Sequence, residues 1–189
     1  MKKRILITLV VLLSVFGFAI NLQAIPIQWS VEDGGNGHYY EILDDGSGAM
    51  SWETANTLAH SVGGELASIT SADENTFFIN IISNDQHHSL YLGAFRTEAD
   101  NWQWTDGEIW GFTYWDTGEP QNQDYNYACI VAFSNIAMQD PSGADILGGW
   151  NDILPTYNHL NYGYVVEYVP EPATILLLAL GGLVFRKRK

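Results

Sequence analysis

Cysteine and basic residues are scarce in this chain. It has one cysteine, Cys129, so no internal disulfide can form and a packed core must supply its stability. Seven of its eight lysine and arginine residues lie within the first four and last four positions, which leaves Arg96 alone between Ile25 and Glu171. All 22 acidic residues lie in that interval, whose formal charge is 1 − 22 = −21. Such a charge concentrates divalent cations and argues against nucleic-acid partners.

The sequence also lacks a catalytic constellation. Its five histidines are scattered without a recurring ligand spacing, and the adjacent His87 and His88 lie in a polar segment, so we expect them at the surface rather than in a zinc site. Paired carboxylates such as Asp106 and Glu108 have no neighbouring histidine or nucleophile. The sequence therefore predicts that the protein is not an enzyme.

The N-terminal segment 1–24 has the order of a secretory signal peptide. A basic start is followed by the apolar run Ile5 to Ile20 and by a short segment that ends at Ala24, where we expect cleavage. The alternative is a membrane anchor, but the apolar run of 16 residues is shorter than the roughly 20 that a spanning helix needs. The mature domain is then predicted to begin at residue 25.

Two helices and several short strands are predicted in the mature chain. Ser51 is the expected N-cap of a helix from Trp52 to about Val62, and Ser71 with Glu74 forms a capping-box pattern for a second helix. Strand-like runs are His38–Leu43, Glu65–Ile69, Leu90–Ala94, Trp102–Thr105, Ala128–Phe133 and Tyr164–Tyr168. Two helices followed mainly by strands predict an α+β fold with an antiparallel sheet. The segments 107–124 and 134–149 are long enough to be functional loops.

A series of short motifs in a fixed order carries a resemblance to a known family. The motifs are Gly37-His38-Tyr39-Tyr40-Glu41, Ser51-Trp52-Glu53-Thr54-Ala55, Gly63 to Ile69, Asp73-Glu74-Asn75, Leu92-Gly93, Trp104 to Glu108, Trp115, Trp150-Asn151-Asp152 and Tyr164 to Tyr168. Together they resemble the C-type lectin domain over about residues 37 to 168. The resemblance implies one such domain in residues 25–168, with two helices, short antiparallel sheets and a long loop region.

The resemblance also implies a calcium site between two separated clusters of oxygen donors. Calcium takes six to eight oxygens, so the fold would have to bring the Glu119-Pro120-Gln121-Asn122 loop to Asn151-Asp152. The implied metal ligands are Glu119, Gln121, Asn122, Asp124, Asn151 and Asp152. All of these except Asp124 are also implied to contact a sugar diol of mannose or glucose type. The bond before Pro120 is expected to be cis, as in the family.

This chain departs from the family pattern at two ligand positions. The sugar-binding members have asparagine where this chain has Gln121, whose extra methylene displaces the amide oxygen, so Asn122 is an alternative donor. A family glutamate falls on Tyr125 or Tyr127, and Asp124 is the nearest residue that could replace it.

Two functions from different classes therefore stay open. The first is a calcium-assisted carbohydrate-binding module for exopolysaccharide or a cell-surface glycan. The alternative is a metal-independent interaction or structural protein of the matrix or envelope with a lectin-like fold.

The C-terminal residues 169–189 resemble a sorting signal. Pro170-Glu171-Pro172 precedes the apolar stretch Ala173 to Phe185 and a basic tail, which resembles the PEP-CTERM signal of Gram-negative bacteria. The resemblance implies transient inner-membrane insertion, processing by an exosortase, and delivery to the cell surface or extracellular matrix. Thirteen residues make a helix of about 20 Å, short of a hydrocarbon core of about 30 Å, so a permanent transmembrane helix is doubtful. A simple tail anchor is the alternative.

Overall fold

The computed structural model describes residues 25–98, 101–121, 128–133, 146–156 and 158–170. The predicted signal peptide and the apolar stretch after Pro172 lie outside these ranges. Within them, no helix is both long and apolar enough to cross a membrane.

Helix α1 spans Trp52–Ser61, as its sequence predicts. The Ser51 side chain accepts a hydrogen bond from the Thr54 amide and so satisfies one of the free N–H groups of the first turn. Ala55 and Ala59 are completely buried on the inner face. Small residues at this spacing let the helix pack closely on the sheet.

Helix α2 spans Ala72–Ile82, and Ser71 caps it by accepting from the Glu74 amide. The Glu74 side chain does not make the hydrogen bond that a capping box predicts, which would be with the Ser71 amide. Its Oε2 instead accepts from the Thr70 amide at 2.7 Å. The Glu74 side chain is buried, and its second oxygen is used in the core, which explains why it does not fold back over the cap.

Ten strands accompany the helices in the part of the chain that the structure describes. They are β1 Ile27–Gln28, β2 Tyr39–Leu43, β3 Ala49–Met50, β4 Glu65–Leu66, β5 Ser89–Arg96, β6 Trp102–Trp104, β7 Ala128–Phe133, β8 Trp150–Ile153, β9 His159–Leu160 and β10 Tyr162–Tyr168. The main sheet has the order β1-β2-β10-β5-β7-β8, with β4 on β10 and β6 on β5, while β3 and β9 form a separate pair. The predicted α+β class is confirmed.

One strand pair differs from the predicted antiparallel arrangement. β10 and β5 are parallel, with Tyr162 opposite Ser89 and Tyr164 opposite Tyr91. A parallel pair needs a long crossover connection, and the chain between the end of β5 and the start of β10 provides it. The other strand pairs of the described structure are antiparallel.

The centre of the main sheet is buried on both faces. Leu90, Leu92 and Ala94 of β5 join a cluster with α2, whereas Tyr91 joins a second cluster with α1. Strand alternation produces this division because successive side chains point to opposite faces.

Tryptophan rings pack on the α2 side of the sheet. Trp150 is completely buried, and its ring contacts those of Trp104, Trp110 and Trp115 at centroid distances of 5.8 to 6.0 Å. This packing holds the segment around residues 110–115 against β8.

Candidate functional site

The Glu119-Pro120-Gln121 loop lies directly against β8. The Gln121 amide donates to Glu119 Oε2 at 2.9 Å and to Asp152 Oδ1 at 3.0 Å. One N–H is therefore shared by two carboxylates that come from distant parts of the sequence. The Glu119–Pro120 peptide bond is cis, as the resemblance implied.

Backbone hydrogen bonds anchor this loop to the same strand. The Trp150 amide donates to the Tyr114 carbonyl, and the Asp116 amide donates to the Trp150 carbonyl, both at 2.9 Å. The Glu119 amide then donates to the Asp116 carbonyl at 3.0 Å. The loop that carries Glu119 is thus positioned by the backbone that places Trp150 in the core.

Asp152 is fully buried beneath the loop and is paired with Arg96. Arg96 Nη2 lies 3.0 Å from Asp152 Oδ2, and both side chains are 0% exposed. The Arg96 guanidinium also lies over the Trp102 ring, 4.8 Å from its centroid. A positive charge therefore occupies the base of the site.

Negative charge converges on Glu119 at the rim. Burial raises the pKa of Glu119, and the neighbouring Asp152 and Asp116 carboxylates raise it further, while the hydrogen bond from the Gln121 amide opposes the shift. Asp116 is itself buried and accepts from the Ile146 amide at 3.1 Å.

The structure brings together Glu119, Gln121 and Asp152, which are three of the six predicted ligands. Asn151 follows Trp150 on β8, so strand alternation puts it on the opposite face from Asp152. Asn122 and Asp124 lie outside the described residues.

With Arg96 paired to Asp152, the donors in the described ranges do not by themselves complete the coordination of a calcium ion. Each oxygen of Asp152 already accepts a hydrogen bond, one from Arg96 and one from Gln121. Among the residues the structure describes, no group of three or more His, Cys, Asp or Glu side chains could hold a metal ion. Calcium needs six to eight oxygens, so the calcium site stays a prediction that depends on Asn122 and Asp124.

Sequence reasoning missed Arg96. The sequence feature that could have pointed to Arg96 is that it is the sole lysine or arginine between Ile25 and Glu171. A lone cation in so acidic a domain has many candidate partners, however, and only the register of three strands selects Asp152.

A separate polar cluster surrounds His87. Its Nδ1 lies 3.0 Å from Asp85 Oδ1 and its Nε2 lies 3.2 Å from Asp44 Oδ2. The hydrogen bond with Asp85 raises the pKa of His87, burial opposes the shift, and Asp44 adds to it. This cluster lies at the Asp44-Asp45-Gly46 turn, away from the Glu119 loop.

Comparison with protein families gives two matches. Residues 48–152 match the family described as the Lectin C-type domain, and residues 169–189 match the PEP-CTERM protein-sorting motif.

Individual proteins and structures agree with the first match. The chain is 31% identical over 86 residues to ladderlectin of Oncorhynchus mykiss, a match that covers 44% of this chain and 45% of that protein. It therefore spans less than half the length of this curated relative.

Solved structures share the fold at low sequence identity. The cow C-type carbohydrate-recognition domain of CD23, determined in the presence of a GlcNAc2Man3 oligosaccharide, has a TM-score of 0.53 at 21% identity and covers 71% of this chain and 90% of its own. A calcium-independent type II antifreeze protein has a TM-score of 0.55 at 19% identity, and the match covers 77% of this chain and 94% of that protein. The first family match spans 105 of the 189 residues, and the chain therefore belongs to the C-type lectin domain family and ends in a PEP-CTERM sorting motif.

Proposed function

We propose that this protein is an exported carbohydrate-binding module whose sugar contacts centre on the Glu119 loop. Membership of the C-type lectin family supports carbohydrate binding, and the family is one of binding domains rather than enzymes. We locate the sugar site here because the Gln121 amide donates to both Glu119 and Asp152. It therefore joins the two stretches that the resemblance assigns to sugar binding.

The loop offers complementary groups for sugar hydroxyls. Glu119 is half-buried and can accept hydrogen bonds, while the exposed Gln121 side chain can both donate and accept. Asp152 lies beneath them and acts by holding the Gln121 amide in place. A sugar with neighbouring hydroxyl groups would satisfy both kinds of group at once.

Binding without a metal is the mode that these residues favour. Asp152 is neutralised by Arg96, and the described carboxylates do not form a metal-binding group. Calcium-dependent binding through Glu119, Gln121, Asn122, Asp124, Asn151 and Asp152 is the competing mode, and it requires donors from the 122–127 segment.

The proposed targets rest on the sorting motif and the charge. The PEP-CTERM motif implies export and membrane-associated sorting, with exosortase as the processing partner. We propose exopolysaccharide or a cell-surface glycan as the ligand, and the cell surface or matrix as the site of action. The charge of −21 between Ile25 and Glu171 favours neutral over polyanionic glycans.

A glycan array tests this function. The protein is applied with millimolar calcium and again with chelator. Glu119→Gln is tested beside the matched control Glu108→Gln, which changes an exposed glutamate that follows β6. We expect sugar binding in both conditions, at least a tenfold loss for Glu119→Gln, and none for the control. Binding lost only with chelator would establish the calcium mode. No binding in either condition would reject the carbohydrate function in favour of a structural or protein-interaction role.

A further inference from the structure

Arg96 is an unusual residue for its position. It is the only lysine or arginine in an interval that carries 22 acidic residues, yet it is completely buried instead of offsetting surface charge. Burial of a guanidinium is costly unless a partner compensates for the lost hydration. One such partner is Asp152, which is also completely buried.

Strand register fixes this pairing. Arg96 ends β5 opposite Ala128 of β7, and Asp152 lies on β8 opposite Ile130 of the same strand. Since positions 128 and 130 are two residues apart on β7, the register puts Arg96 and Asp152 on the same face of the sheet, on either side of β7. Trp102 lies opposite Arg96 on β6 and covers the guanidinium with its ring.

Asp152 connects this guanidinium to the candidate sugar loop. Its Oδ2 accepts from Arg96, and its Oδ1 accepts from the Gln121 amide. The buried positive charge therefore acts on the loop through one carboxylate. Without it, Asp152 would keep its negative charge beside Glu119 but lose the guanidinium.

We propose that Arg96 is a built-in cation that replaces a divalent metal at this site. Its guanidinium neutralises Asp152 and so keeps the Glu119–Gln121 loop in place without calcium. Arg96 is a positioning residue, since it reaches the loop only through Asp152. The consequence for sugar binding rests on the function proposed above, whereas the consequence for metal independence of the fold does not.

This role has a distinctive consequence for variants. Arg96→Met keeps an apolar stem of similar length but removes the cation that pairs with Asp152, whose carboxylate lies near those of Glu119 and Asp116. Such a variant should acquire a response to calcium that the natural protein lacks. A residue that merely fills space would not produce that response when replaced.

Thermal unfolding with calcium or chelator, without sugar, is the test. We expect no calcium shift for the natural protein. For Arg96→Met we expect a melting temperature lower by roughly 10 °C, because a buried ion pair has lost one partner, and a partial recovery of several degrees in millimolar calcium. Arg96→Lys should keep the charge and remain unresponsive to calcium.

The double variant Arg96→Met with Asp152→Asn provides a second test, which can be made even if the single variant does not fold. Removal of both charges should restore much of the lost stability and abolish the calcium response. A calcium-dependent rise in the melting temperature of the natural protein would overturn the proposal, as would a double variant that is no more stable than Arg96→Met. Failure on the glycan array with these melting results intact would reject the sugar function alone.

Discussion

Replacement of Tyr40 by phenylalanine should destabilise the domain through two buried carboxylates. The Tyr40 side chain is 1% exposed, and its hydroxyl lies 2.5 Å from Glu74 Oε1 and 2.9 Å from Glu167 Oε1. Burial raises the pKa of Tyr40, and both carboxylates add to the shift, so the phenol keeps its proton. The hydroxyl is thus a donor placed between two acidic groups.

The size of the effect follows from the single proton. A phenol donates to one carboxylate at a time, so we expect the loss of one charge-assisted hydrogen bond, about 1.5–3 kcal/mol, rather than two. For a domain of this size the melting temperature should fall by roughly 5 to 10 °C. Tyr39→Phe is the matched control because Tyr39 is the adjacent residue on β2 and is 37% exposed.

The loss should depend on pH. Burial raises the pKa of Glu167, hydrogen bonds with His38 and the Ser68 amide oppose the shift, and the Glu74 charge adds to it. A carboxyl whose folded pKa lies above its unfolded value favours the folded state as pH falls through the folded pKa. Without the Tyr40 hydroxyl this pKa should rise further, so the stability gap between Tyr40→Phe and the natural protein should narrow on acidification.

Urea unfolding followed by tryptophan fluorescence at neutral and mildly acidic pH measures both effects. Comparison with Tyr39→Phe at each pH removes the general change in charge repulsion. A gap at neutral pH below about 0.5 kcal/mol, the size of an ordinary surface substitution, would refute the reasoning. A gap that widens towards acid would refute it equally.

Two further substitutions probe other parts of the fold. His87→Gln should lower the melting temperature more at mildly acidic than at alkaline pH, because Asp85 and Asp44 raise the pKa of His87. The stability that the protonated imidazole contributes is present below its unfolded pKa and is lost as pH rises through its folded pKa. An equal fall in melting temperature at both pH values would contradict this. Gly93→Ala should destabilise the domain by at least about 2 kcal/mol in urea unfolding, because an added Cβ would lie 2.5 Å from the Leu66 carbonyl oxygen. A free energy of unfolding within about 0.5 kcal/mol of that of the natural protein would show that β4 shifts without cost.

Local signals were sufficient to predict the helices and the longer strands except β8, which the sequence analysis did not identify. Ser51 and Ser71 mark the helix starts in both sequence and structure, since a serine hydroxyl at that position satisfies a free amide. Strands of two residues, such as β1, β3 and β9, are too short to show alternation, and they form only because a partner strand lies beside them. The parallel pairing of β10 with β5 depends on chain topology, which no local pattern encodes.

The candidate site was predictable in part. The resemblance placed Glu119 and Asp152 in one site, and the structure adds that the backbone amide of Gln121 joins the two carboxylates. Arg96 escaped prediction because its partner lies across an intervening strand, and short-range sequence patterns carry no information about that distance.

The pairing of β2 with β10 has a consequence for how the protein is displayed. Both the first strands of the domain and its last strand lie on one side of the sheet, and β8 lies at the opposite margin. At about 4.8 Å between neighbouring strands, roughly 14 Å separates β10 from β8. If the chain is held through its C-terminal sorting motif, the attachment begins at the end of β10, whereas the Glu119 loop lies against β8, three strand positions away across the sheet.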